Sequence, residues 1–306
     1  MSRIHEALKK AEQERGIRRP AGSTDAAAVG PVLPGLANTL PTDAPSLTVH
    51  APATSEIPTL ESLMRITASS WRPDPKGIVA FQGSHGKVGT EEFRSLRSRL
   101  YQNRDSGPLR RVLVTSALPQ EGKTYVAANL VHSIVRQKER RALLIDGDLR
   151  RSRLHDVLGT HISPGLTEYM KGEVGELAII QRGAIENLFF IPGGNSVPNA
   201  AELISNGRFK MLVDRLTPFF DWIIIDSPPC IAMSDASLMA EFCDGVLIVV
   251  AAGKTPFDLA QKTREQLKKF RMLGVVLNKV DPQHTGGHYY YGYYMGKEHK
   301  QKAKKD

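Results

Sequence analysis

The period of the apolar residues changes several times along the chain, and those changes divide it. Near the start, Ile4, Ala7, Leu8 and Ala11 fall at i, i+3, i+4 and i+7, with Ser2 placed to cap. That predicts a short amphipathic helix within residues 1–15. Its stripe is narrow, and so short a helix is marginal alone in water, so it gains by docking on a partner or on the protein's own body. From Gly16 to Pro75, Pro20, Pro31, Pro34, Pro41, Pro45, Pro52, Pro58 and Pro73 interrupt most runs, and Ala, Gly, Thr and Ser fill the gaps. That composition predicts a largely disordered linker over residues 16–75, broken by a short helix around Leu60–Ala68.

Beyond the linker, strand-sized apolar runs alternate with helical periods. Strands are predicted at Ile78–Phe81, Arg111–Ser116, Ala142–Ile145, Trp222–Ile225, Gly245–Ala251 and Val275–Leu277. Helices are predicted at Thr90–Tyr101, Tyr125–Gln137, Asn199–Leu216 and Pro256–Phe270. The strand runs are apolar throughout, as strands buried on both faces are. The expectation is an α/β domain over residues 76–285, a mostly parallel sheet with helices on both faces. A flexible tail over residues 286–306 follows it.

Composition narrows the function. With 41% hydrophobic residues in 306, a sizeable core is possible. No window reaches the roughly 18 apolar residues that cross a bilayer, and the N-terminus has no signal-peptide apolar region. A cytoplasmic protein is expected, one that meets a membrane through a partner. Cys230 and Cys243 have neither metal nor redox spacing and read as small buried hydrophobes. The net charge of +9 gathers at the ends: Arg15, Arg18 and Arg19 in front, Lys297, Lys300, Lys302, Lys304 and Lys305 behind. Such ends attract anionic surfaces or simply keep the chain soluble.

The chemistry starts where the RVLVTS run leads into Ala117-Leu118-Pro119-Gln120-Glu121-Gly122-Lys123-Thr124 and then a helix. This is a Walker A loop in which Ala117 replaces the first glycine. The loop from Pro119 to Tyr125 suits phosphates through its backbone N–H groups, which begin at Gln120, and through the helix N-terminus. Gly122 allows close approach, Lys123 reaches the β and γ phosphates, and Thr124 offers a hydroxyl to Mg²⁺. Two other strand ends carry acids: Asp146 and Asp148, followed by Arg150, and Asp226 in I-I-I-D-S-P-P. In a parallel sheet the C-terminal strand ends share one edge, where ligands bind. All three carboxylates are therefore expected beside Lys123 and Thr124, to support Mg²⁺ and to position a phosphoryl acceptor.

This pattern resembles the bacterial tyrosine kinases, a group within the P-loop ATPases whose Walker A loop is deviant, and the resemblance covers about residues 85–295. The segment D-x-D-x-R resembles their additional Walker A′ motif, and I-I-I-D-S-P-P their Walker B. Glu91, Arg94 and Arg97 look like the E-x-x-R-x-x-R helix used in ring assembly; taken alone they would be an ordinary charged helix face. Pro198-Asn199-Ala200-Ala201-Glu202-Leu203 is similar to a recurrent P-N-P-x-E-L stretch, with alanine for its second proline. The N-terminal helix and linker look like those of autokinases encoded with exopolysaccharide systems. The resemblance implies ATP and Mg²⁺ as cofactors, with Asp148 and Asp226 supporting the metal. It implies that Asp146 orients or deprotonates the tyrosine hydroxyl, although Asp146 and Asp148 could exchange roles. It implies that Arg150 contacts phosphate or a neighbouring subunit. Further implications are a homo-oligomer of the kind that can close into a ring, and a separate transmembrane polysaccharide chain-length protein whose cytosolic segment activates the kinase. A tyrosine phosphatase partner and no specific nucleic acid complete the picture.

Five of the chain's eight tyrosines, Tyr289, Tyr290, Tyr291, Tyr293 and Tyr294, cluster past the last predicted strand, between Gly286-Gly287 and the basic end. By themselves they could be a sticky or base-stacking tail. Behind three phosphate-site motifs they read as the phosphoacceptors. Three alternatives compete. Partition- or division-site ATPases usually carry a lysine early in the loop, where this chain has Ala117-Leu118-Pro119, and they leave the tyrosines unexplained. A GTPase would explain Asn278-Lys279-Val280-Asp281, which matches N-K-x-D, but would place glycine where Pro229 stands; Asn278 is read instead as a contact to the nucleotide base, and Asp281 as a cap. A non-catalytic scaffold would not need Lys123, Thr124 and three acids intact.

Overall fold

The computed structural model describes residues 58–75, 77, 78, 89–183 and 185–281. The expected N-terminal helix, residues 16–57 of the expected linker, most of the expected Ile78–Phe81 strand and the tyrosine tail lie outside them. Seven strands make one sheet: β1 Arg111–Ser116, β2 Ala142–Asp146, β3 Gln181–Arg182, β4 Leu188–Ile191, β5 Trp222–Asp226, β6 Gly245–Ala251 and β7 Met272–Asn278. Their order is β3-β4-β2-β5-β1-β6-β7. Every pairing is parallel except the short β3–β4 edge.

Period-2 alternation explains why both faces are covered. Leu113, Ile223 and Ile225 enter one core, while Val112, Val114, Trp222 and Ile224 enter the other. The second core lies under α2 (Thr90–Arg104) and α3 (Lys123–Val135), after the short α1 (Leu60–Arg65). From Val126 to Val135 every residue of α3 is buried, as a helix hydrophobic all round must be. The other core lies under α5 (Leu166–Lys171), α6 (Ala200–Ser205), α7 (Arg208–Leu216) and α8 (Asp235–Ala240); α4 (Leu154–Leu158) precedes them and α9 (Phe257–Gln266) follows.

The predicted long strands and helices are present, with two changes. The expected Asn199–Leu216 helix is broken into α6 and α7 at Asn206-Gly207, and the helix after Pro256 stops at Gln266. The short elements α4, α5, α8, β3 and β4 were missed. None exceeds six residues, too few for a period to register.

The expected linker boundary at residue 75 also changes. Residues 58–75 pack on the body. A reciprocal Thr59–Ser62 capping box starts α1, and Leu63 is buried in the core. Ala68 and Ser69 pair with Arg182 on β3, and Trp71 meets Phe190 edge-on at 6.2 Å. Prolines flagged this stretch as linker, but tertiary burial decides. Leu63→Ala should therefore lower unfolding stability by about 2–5 kcal/mol. Met64→Ala, at a side chain 45% exposed, should change it by less than about 0.5 kcal/mol. Urea unfolding of the two variants checks this; equal effects would contradict it.

Candidate active site

The site gathers at the C-terminal edge of β1, β2 and β5. Asp146 and Asp226 are register partners on adjacent parallel strands, so the two acids share one rim. The backbone locks them further: the Gly147 N–H donates to the Asp226 carbonyl at 2.7 Å. A Cβ on Gly147 would come within 2.8 Å of that carbonyl oxygen. The D-G-D sequence thus has a steric reason, because only glycine lets the turn after β2 lie flat on β5.

The loop after β1 ends at Gly122, in the left-handed region at φ +97°, and hands the chain to α3 with Lys123 and Thr124 in its first turn. The Lys123 ammonium sits between two carboxylates, 3.1 Å from Asp148 Oδ2 and 3.9 Å from Asp226 Oδ1. Burial disfavours its charge, yet Asp226 and then Asp148 outweigh that and hold its pKa above the usual lysine value. Asp226 is the converse. Burial pushes its carboxyl upward, against the pull of Lys123 and the hydroxyl of Thr124. Asp226 Oδ1 is buried without a hydrogen-bond partner. An orphaned carboxylate oxygen beside a threonine hydroxyl is the donor chemistry that suits Mg²⁺, so the residues fit the ion.

Asp146 is differently placed. It is fully buried. Oδ2 accepts from Ser152 Oγ at 2.7 Å and from the N–H groups of Arg153 and Leu154 at 3.0 and 2.9 Å, and Oδ1 accepts from the Asp148 N–H at 3.2 Å. Burial raises its pKa, while the Ser152 and Leu154 hydrogen bonds oppose the rise. In this geometry Asp146 ties the Gly147–Leu154 turn to β2, and Asp148 is the Walker A′ carboxylate that reaches Lys123.

Several expected site residues have other partners. Arg150 does not join the loop: its guanidinium grips the buried Asp235 with two donors, at 2.8 and 3.3 Å, and the Pro198 carbonyl at 2.9 Å. All three of those donors point to α8 and the segment before α6. Tyr125 turns its ring to Phe93 on α2, with centroids 5.8 Å apart. Pro119 and Gln120 are exposed on the loop and Glu121 is buried. The Glu121 carboxylate accepts from the Leu118 N–H at 2.7 Å and from the Thr255 hydroxyl. Asn278 Nδ2 donates to the Glu121 carbonyl at 2.9 Å, so the amide expected on the base braces the loop. On α2, Glu91 and Arg94 pair with each other at the surface, whereas Arg97 donates to the Ser133 carbonyl at 2.5 Å. Ser152, Asp235 and Thr255 were missed by sequence reading. Each is separated from the motif it supports, by six residues for Ser152 and by 85 and 134 for the others, with no local pattern to mark it. The phosphoacceptor tyrosines lie outside the described residues.

No protein-family model matches the chain. Among curated proteins it is 31% identical to tyrosine-protein kinase YwqD of Bacillus subtilis over 213 residues, 69% of this chain and 88% of that one. It is 35% identical to tyrosine-protein kinase CpsD of Streptococcus pneumoniae over 198 residues, covering 64% and 86%. Among solved structures, the chimerical protein CapA2B2 matches with TM-score 0.63 at 28% identity, covering 72% of this chain and 97% of that one. The septum site-determining protein MinD of Pyrococcus horikoshii, complexed with Mg-ADP, shares the fold at TM-score 0.50 and 22% identity, over 57% and 75%. With kinases matched over most of their length, and with Lys123 held between the Walker A′ and Walker B carboxylates at the sheet edge, the chain belongs to the bacterial tyrosine-protein kinases of the P-loop superfamily.

Proposed function

We propose that this kinase transfers the γ-phosphoryl group of Mg-ATP to its own C-terminal tyrosines, between subunits of a homo-oligomer. The observation that carries the reading is the Lys123 ammonium poised between Asp148 and Asp226 at the mouth of the loop. Kinship with kinases implies ATP as the donor. In the proposed complex Lys123 leaves the carboxylates for the β and γ phosphates, and the N–H groups at the start of α3 face phosphate oxygens. Thr124, Asp148 and Asp226 hold Mg²⁺, which supplies neutralisation of the phosphate charge when bound. Phosphoryl transfer draws mainly on positioning and electrostatics. Asp146 contributes by fixing the turn that carries Asp148 to Lys123 and the metal position. Arg150 acts through the Asp235 clamp rather than on phosphate.

The acceptor reading is supported by topology. Strand β7 runs parallel to β6 and so ends on the rim where the loop lies. From Asp281 to Tyr289 the chain is long enough to span about 26 Å when extended, which brings a site within reach, its own or a neighbour's. Glu91 and Arg94, exposed on α2, are proposed as the subunit contact, with Arg97 holding α2 to α3. The downstream process is proposed to be synthesis or export of a surface polysaccharide. The partners would be the cytosolic segment of a transmembrane chain-length protein and a tyrosine phosphatase. Among the described residues no helix is long and apolar enough to cross a membrane, and the proposed seat is the cytoplasmic side of the inner membrane, through that partner.

Incubation with Mg-ATP followed by mass spectrometry should find phosphotyrosine at several of Tyr289, Tyr290, Tyr291, Tyr293 and Tyr294. In Lys123→Met it should fall by at least about 100-fold, as expected for losing a phosphate-neutralising charge. A tail that stays unmodified in the wild type would overturn the acceptor assignment. Nucleotide competition separates the GTPase alternative: ATP should displace bound nucleotide better than GTP. Each phosphate adds about −1.5 to −2 charges, so full modification reverses the sign of the lysine-rich end. ATP-treated wild type should then form a smaller oligomer than a variant with all five tail tyrosines changed to Phe. Identical sizes would refute that switch.

A further inference from the structure

A phosphate loop works only if its peptide planes are turned the right way, and two planes of this one are gripped from behind. The Gln120 carbonyl accepts from Lys279 Nζ at 2.5 Å, and the Glu121 carbonyl accepts from Asn278 Nδ2 at 2.9 Å. In a trans peptide the C=O and the following N–H point in opposite directions. Holding those two carbonyls toward the end of β7 therefore turns the Glu121 and Gly122 N–H groups to the other side of the loop. The same face is denied to Leu118, whose N–H is taken by the Glu121 carboxylate.

The backbone at both ends of the first contact is unusual. Among the described residues only Gln120, Glu139, Asn187 and Lys279 are non-glycine with positive φ. Two of these four, Gln120 at +65° and Lys279 at +56°, are the partners in one hydrogen bond. Such conformations persist where surrounding structure over-determines them, and they cluster at functional sites. Gly122 is fitted to the same strap: a Cβ there would lie 2.1 Å from Asn278 Nδ2.

We propose that Lys279, seconded by Asn278, is a positioning residue for nucleotide binding: a strap from the end of β7 that sets the Gln120–Glu121 and Glu121–Gly122 peptides to receive nucleotide phosphates. This rests on the Mg-ATP reading above. It assigns the N-K pair to shaping the phosphate loop, whereas a base-reading role would set nucleotide preference. Because both contacts meet main-chain oxygens of the loop, the effect falls on phosphate affinity and is blind to the base.

The test uses the full chain and titrates Mg-ADP by calorimetry, with steady-state kinetics for ATP and GTP. Lys279→Met, which keeps the stem and removes the donor, should weaken Mg-ADP about tenfold, the worth of a charge-assisted hydrogen bond. The KM for ATP should rise by a similar factor, with kcat changed by less than about threefold, the pattern of lost uniform binding. Lys279→Arg, which can still donate to the carbonyl, should recover affinity to within about threefold of wild type. The ATP:GTP preference and the melting temperature should stay at wild-type values in both. Wild-type Mg-ADP affinity in Lys279→Met would overturn the strap. So would a loss that arginine does not relieve, or a shifted ATP:GTP ratio. A wild-type chain that binds no Mg-ADP would instead remove the ATP reading itself.

Discussion

One half-buried cation organises this structure. Lys123 lies between Asp148 and Asp226, with little of any of the three side chains exposed. Ion pairs of this kind are poor stabilisers, since withdrawing each charge from water costs several kcal/mol and well-packed apolar residues often serve as well. Their use here is placement. On the Mg-ATP reading proposed above, the ammonium waits where phosphate charge would arrive, and the carboxylates where a divalent ion would join them. Three strands and a helix start are needed to bring the groups together, which is why the fold and the site cannot be described apart.

Around that triad the loop and turn are pinned by side chains that bond to the protein itself. Asp146 ties the Walker A′ turn to β2, Asp235 fixes Arg150, Thr255 holds Glu121, and Asn278 and Lys279 hold loop carbonyls. Preorganisation of this sort sets how well a site meets developing charge. It also explains why residues that look catalytic by motif divide into two kinds. Asp148 and Asp226 face Lys123, while Asp146 and Arg150 face the protein.

The sheet and the phosphate motifs were legible in sequence because they are local. A run such as Ile223-Ile224-Ile225-Asp226 declares a buried strand and its functional end within four residues, and the parallel sheet then places three acids on one rim. The Asp146–Asp226 register bears that out. Illegible were the interactions that join distant segments. Nothing local in Arg150 announces Asp235, and nothing in the N-K-x-D spelling announces the hydrogen bond from Asn278 to the Glu121 carbonyl. The packing of residues 58–75, the end of the expected linker, was hidden from the same cause: prolines are local signals, whereas the burial of Leu63 and Trp71 depends on strands far along the chain. The tyrosine cluster, plain in the sequence, lies beyond the described residues, and its role rests on chemistry and reach.

The central claim is that the carboxylates hold Lys123 in a phosphate's place until nucleotide arrives. A crystal structure of the Mg-ADP complex tests it most directly. The account predicts that Lys123 Nζ moves from Asp148 onto the β-phosphate. It also predicts Mg²⁺ at about 2.1 Å from the Thr124 hydroxyl, with Asp226 beside it directly or through water. Nucleotide bound away from the Gly122–Thr124 turn, or Lys123 still paired to both carboxylates with phosphate in place, would contradict it.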